Sequence, residues 1–162
     1  MMQAGELEAG DLRQAFAPLH GLPILQVKKG HGSFLTFDFR RSLPAGSAAS
    51  AEDWHLWIYC CNWRLIIGEH EAADSDATAE VIAAAATDMA GRCLLDVDHD
   101  PACGTSRFRF EGGALLSTWP CPTDTVERWE SDQAQWMLYA PGDRVLTYAA
   151  DGRSRWETSS QP

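Results

Sequence analysis

The stretch from Trp54 to Ile67, WHLWIYCCNWRLII, constrains the fold most, because no other part of the chain is so apolar for so long. It reads as one strand. On a period of two, Trp54, Leu56, Ile58 and Cys60 fall on one face and Trp57, Tyr59, Cys61, Trp63 and Leu65 on the other. Both faces then need cover, which makes it a middle strand. Asn62 and Arg64 interrupt the run, and an unpaired buried guanidinium is costly, so a bend or an exposed face is expected there. Truncating Trp57 to alanine in such a strand is expected to cost about 3–5 kcal/mol.

The rest of the chain supplies neighbours for that strand. Asp11 can cap a short helix with Leu12, Phe16 and Leu19 at helical spacing, ended by Pro18 and Gly21 and peripheral to the core. ILQVKKGHGSFLTFDF reads as a hairpin around Gly30-His31-Gly32, setting Val27 opposite Leu35 and Leu25 opposite Phe37. Residues 41–53 are rich in Ala, Ser, Gly and Pro and read as a connection without periodicity. A helix from Ala77 to Ala90 starts at Ser75 or Asp76, turns Ile82, Ala86 and Met89 inward and ends at Gly91.

Strands in a meander follow. Leu95 and Val97 alternate with acids, Phe108 and Phe110 with arginines, and a turn over Pro101 to Gly104 sets Asp98 opposite Arg107 and Asp96 opposite Arg109. Gly112-Gly113 turns the chain into ALLSTW, and Trp119 to Ala134 is a second long loop. Pro141-Gly142-Asp143 sets Trp136 opposite Tyr148 and Leu138 opposite Leu146. Asp151-Gly152 signals a two-residue hairpin before the strand carrying Trp156. The expected fold is α+β: a largely antiparallel, or mixed, sheet of about seven to nine strands with one main covering helix and a short N-terminal helix.

With an apolar fraction of 45%, 162 residues fit one domain over 1–162, frayed at 1–10 and 158–162. Five cysteines, an odd number in a chain large enough to need no disulfide, fit reduced thiols and a cytoplasmic location. No apolar run reaches the roughly 18 residues of a membrane span, and the N-terminus opens polar, so neither membrane nor leader is expected. The net charge of -10 repels phosphate backbones, excludes nucleic acid and favours a basic partner.

Each candidate chemistry fails on spacing. Asp96, Asp98 and Asp100 open like a calcium loop, but Pro101 stands where glycine is needed and Arg107 where a bidentate glutamate belongs. Cys60, Cys61, His70, Cys93, His99, Cys103 and Cys121 show no zinc-ligand spacing, and adjacent cysteines in a strand point to opposite faces. The glycines around His31 suit a hairpin turn, the nucleophile elbow G-x-S-x-G is absent, and so are the phosphate-binding glycine signatures. No catalytic residue, metal or cofactor is expected. His55, between Trp54 and Trp57, reads as a hydrogen-bonded core imidazole, with a pocket base as its alternative role.

The order of a GHGSFLTFDF hairpin, a WHLWIYCCNWRL strand, an alanine-rich helix, then FRFEGGALLSTW and QWMLYAPGDRVLTY resembles uncharacterised small bacterial proteins, some of which accompany toxin systems as immunity-type proteins. The resemblance spans nearly the whole chain after Gly21, rests on core and turn residues, and carries no catalytic assignment. It implies a non-enzymatic protein that binds a basic protein partner through an acidic face. Glu69, Glu71, Asp74, Asp124, Glu127 and Glu130 collect in two connecting segments and form the candidate face, with Trp119 and Trp129 as aromatic anchors. The alternative is a small-ligand binder or enzyme with a pocket near His55.

Overall fold

The apolar run from Trp54 to Ile67 is two strands in two different sheets. In a computed structural model of the chain, which describes residues 9–30, 34–39, 54–59, 61–100, 102–120, 134–141, 144–149 and 152–158, β3 covers Trp54–Ile58 and β4 covers Asn62–Ile67. The core-facing residues are Leu56 and Ile58 in the first and Trp63, Leu65 and Ile67 in the second. Inward phase therefore slips by one residue across the junction, which a single straight strand cannot do. The bend lies three residues before Arg64, where Tyr59 N–H donates to the Gln135 carbonyl at 2.8 Å and Cys61 Sγ to the same carbonyl at 3.4 Å. Arg64 itself is exposed, as the cost of burying it requires.

Before the run come helix α1 (Ala9–Phe16), a 3-10 turn (Ala17–Leu19), β1 (Ile24–Lys29) and β2 (Leu35–Phe39). After it come β5 (His70–Asp74), α2 (Ala79–Met89), β6 (Leu94–Asp100), β7 (Thr105–Phe110), β8 (Ala114–Trp119), β9 (Ala134–Ala140), β10 (Arg144–Ala149) and β11 (Ser154–Thr158). Sheet A has the order β1-β2-β3-β9-β10-β11 and sheet B the order β5-β4-β8-β7-β6. Every pairing between these strands is antiparallel. The expected single sheet of fewer strands is thus corrected to eleven described strands in two sheets, while β3 and β4 each keep a middle position.

The sheets cross. Along β7, Phe110 stacks on Phe37 of β2 and Phe108 meets Trp136 of β9 edge-on, so one strand of sheet B traverses several of sheet A. Along β6, the main chain near Cys93 bridges to Pro23 before β1, while His99 reaches Tyr148 of β10. Helix α1 lies on β6, and its apolar stripe is not peripheral as expected: Leu12, Phe16 and Leu19 are all fully buried, with Phe16 edge-on to Phe108 and Trp136. Ala9 and Gly10 are helical, so Asp11 sits within the helix rather than at its cap.

Helix α2 begins later than expected. Thr78 is the cap, its hydroxyl accepting from Val81 N–H at 3.3 Å, because Ser75 and Asp76 are committed to the turn leaving β5. Ser75 Oγ accepts from Trp63 N–H, and Asp76 N–H donates to Asp74 Oδ1. Ile82, Ala85, Ala86 and Met89 face inward, the stripe expected plus one alanine, and Gly91 follows the helix with φ +91°.

Two hairpin registers differ from expectation and two agree. Val27 opposes Phe37 and Lys29 opposes Leu35, with Gly30 N–H closing onto the Phe34 carbonyl; a bulge between Ile24 and Gln26 turns Ile24 into the core and leaves Leu25 exposed. At the C-terminal hairpin Ala149 N–H donates to the Arg153 carbonyl, so the loop is one residue longer than a two-residue turn. Asp98 opposes Arg107 and Asp96 opposes Arg109, and Trp136 opposes Tyr148 and Leu138 opposes Leu146, as expected. Thr158 belongs to β11, and Trp119 ends β8 instead of opening a loop. Residues 40–53 and 121–133, which hold the two expected long connections, lie outside the described residues, as do His31, Gly142, Asp143 and Asp151. Among the described residues no helix is long and apolar enough to cross a membrane.

Candidate functional site on the outer face of sheet A

Cross-strand pairing places two continuous rows on the side of sheet A away from sheet B. One runs Gln26, Asp38, His55, Tyr139, Val145, Glu157, and the next Lys28, Thr36, Trp57, Met137, Thr147, Arg155. This corrects the placement of two residues. Trp57, expected in the core, is 39% exposed on the open face; His55, expected as a core imidazole, is part-exposed beside it. The physical reason is the crossing of the run: only one face of β3 meets sheet B, so its other face needs no second layer.

Asp38 is the one carboxylate buried in this sheet among the described residues, at 8% exposure. Burying an isolated carboxylate is strongly unfavourable, and donors offset that here. His55 Nδ1 lies 2.7 Å from Oδ1, Gln26 Nε2 donates to Oδ2 at 3.0 Å, and Lys28 Nζ is 3.8 Å from the same oxygen. A carboxylate beside Nδ1 holds the proton on that nitrogen, so a neutral His55 offers Nε2 as its free acceptor. Tyr139 opposes His55 across β3 and β9, its ring centroid 5.0 Å from that of Trp57, and its hydroxyl donates to Met137 Sδ. Burial, and Tyr59 beside it, push the Tyr139 phenol upward, so it stays protonated and neutral. Next to Trp57 a cleft of about 220 Å³ is lined by Gly30, Phe34, Leu35, Thr36, Trp57, Ile58 and Tyr59, with Phe34 and Tyr59 rings in contact. The arrangement is an aromatic platform beside an oriented imidazole. Sequence reasoning missed Asp38 and Tyr139, and the sole signal for Asp38 was its place on the polar side of the TFDF alternation.

The acidic candidates among the described residues lie on sheet B. Glu69 is exposed in the β4–β5 turn, Glu71 is ion-paired with Arg64 at 2.9 Å, and Asp74 sits opposite Arg64 with its carboxylate in the turn toward α2. The Arg64 guanidinium also lies 5.9 Å over the Trp119 ring, so Glu71, Arg64 and Trp119 form one contiguous group. Asp124, Glu127, Trp129 and Glu130 lie outside the described residues. Arg64 offsets the negative charge of this patch locally. Among the described residues no group of three or more His, Cys, Asp or Glu side chains could hold a metal ion.

A second polar group lies between the sheets. His99 Nδ1 is 2.9 Å from Tyr148 Oη, and Trp136 Nε1 donates to Ser106 Oγ at 3.0 Å. Burial pushes the His99 imidazole below its ordinary range, and Asp98 and Asp100 pull it back less strongly. The folded state therefore disfavours protonation, so His99 contributes stability above its unfolded pKa near 6.5 and loses it as pH falls below that value. Urea midpoints at pH 7.5 and 5.5 test this: wild type should lose more stability over the interval than His99→Gln. Equal losses would place the imidazole in contact with solvent.

Comparison of the chain with protein-family models, with curated proteins and with solved structures gives no match. Geometry and charge therefore carry the functional argument.

Proposed function

We propose that this chain is a non-enzymatic binding protein that docks a basic protein partner on the outer face of sheet A, in the manner of immunity-type proteins. The observation that carries the reading is the exposed Trp57 packed on Tyr139 at the centre of a six-stranded sheet. Tryptophan and tyrosine dominate binding hot spots because they offer large, rigid, amphipathic area, and a sheet centre holds them without further ordering. His55 and Asp38 beside them provide a directional polar contact. The net charge of -10 draws a basic partner from a distance, and the acids around Glu69 contribute to that field rather than to the anchor.

Capture from lysate of the native host, comparing folded wild type with Trp57→Ser at equal loading, tests the reading. Wild type should retain a discrete basic protein that Trp57→Ser loses by at least about tenfold, since hot-spot truncations exceed 1.4 kcal/mol. Retention of the same protein at equal yield would contradict it. A second reading, a small apolar ligand seated in the cleft beside Trp57 and Phe34, is favoured by that cleft alone. It predicts loss of a small molecule, not of a protein, from the Trp57→Ser sample.

A further inference from the structure

Three of the four sheet edges are met by a helix: α2 packs on β1 and β5, and α1 on β6. The fourth, β11, has no comparable cover among the described residues. Open edges invite pairing with another chain and are commonly blunted by a bulge or a proline. β11 has neither, and pairs with β10 in unbroken register from Ser154 to Thr158. The Arg153 carbonyl accepts from Ala149 N–H and so points at β10. Alternation then turns the main-chain groups of Arg155 and Glu157 toward β10 and leaves those of Ser154, Trp156 and Thr158 facing outward. The side chains of Arg155 and Glu157 share the outer face of sheet A, 3.1 Å apart.

We propose that β11 pairs antiparallel with β11 of a second copy of this chain, about a twofold axis through Trp156. Trp156 then opposes its counterpart through the outward main-chain groups, and Ser154 opposes Thr158. Arg155 opposes Glu157 in both directions, the self-complementarity a twofold interface requires. Placing Arg155 and Glu157 on either side of the central residue makes the edge charge-complementary to a second copy of itself. Half-buried Trp156, whose ring lies 4.2 Å under the Arg144 guanidinium, gains cover along the joined inner face. The outer face of sheet A stays open in both copies, so the pairing is independent of partner docking.

Sedimentation velocity over a concentration series tests the pairing. Wild type should form a concentration-dependent dimer. Arg155→Glu and Glu157→Arg should each weaken it at least about tenfold, because each sets like charges opposite one another at two symmetric positions. Mixing the two variants should restore a dimer, since every cross-strand pair is again of opposite sign; unfolded variants could not give that result. A wild type monomeric throughout the series, a dimer indifferent to both substitutions, or a mixture that stays monomeric would overturn the proposal.

Discussion

Trp136→Ala should lower the unfolding free energy by about 3–5 kcal/mol, the range for removing a fully buried large aromatic side chain. The indole is wholly inaccessible, stacked on Tyr148 at 5.0 Å and met edge-on by Phe16 and Phe108 at 5.6 and 5.4 Å. Its Nε1–H also satisfies the buried Ser106 hydroxyl, which truncation orphans. Against a typical total of roughly 5–15 kcal/mol, that loss brings the variant near the limit of folding. Equilibrium urea unfolding should show a lower midpoint with an unchanged slope. A loss below about 1 kcal/mol would mean that the crossed sheets do not meet at this ring.

Phe16→Ala should cost a similar amount, about 3–5 kcal/mol, because the ring closes the open side of the same aromatic cluster from α1. A helix of eight residues is marginal alone, so Leu12, Phe16 and Leu19 hold α1 in place by burial rather than by propensity. Since Phe16 and Trp136 touch, the double variant should lose less than the sum of the single losses by about 0.5–1.5 kcal/mol. Additive losses, or a Phe16→Ala effect near zero, would return α1 to the periphery.

The legible part of the fold was the part set by local pairing. The Asp96–Arg109 and Asp98–Arg107 register followed from alternation plus charge matching, and the Trp136–Tyr148 register from a turn between alternating apolar residues. The inner stripe of α2 followed from period alone. What stayed hidden depended on layers. A run apolar on both parities fits one doubly covered strand or two singly covered strands meeting at a bend, and only the phase slip between Ile58 and Trp63 separates them. Asn62 and Arg64 marked that slip, since they fall on the parity of Leu56 and Ile58, yet they follow the bend rather than form it. The status of α1 was hidden because a stripe of three apolar residues does not say how deep its partner surface lies. The candidate site was hidden for the same reason: His55 and Trp57 were visible, but their facing solvent and the Asp38 carboxylate under His55 follow from the pairing of β2 with β3.

The claim on which the proposed function stands is that Trp57 belongs to an open face and not to the core. Urea unfolding of Trp57→Ala measures this most directly. The ring is 39% exposed and rests on Tyr139, so Trp57→Ala should cost about 1–2 kcal/mol, clearly less than Trp136→Ala under the same conditions. A loss of about 3–5 kcal/mol, the amount appropriate to a strand covered on both faces, would bury the indole and remove the docking surface with it.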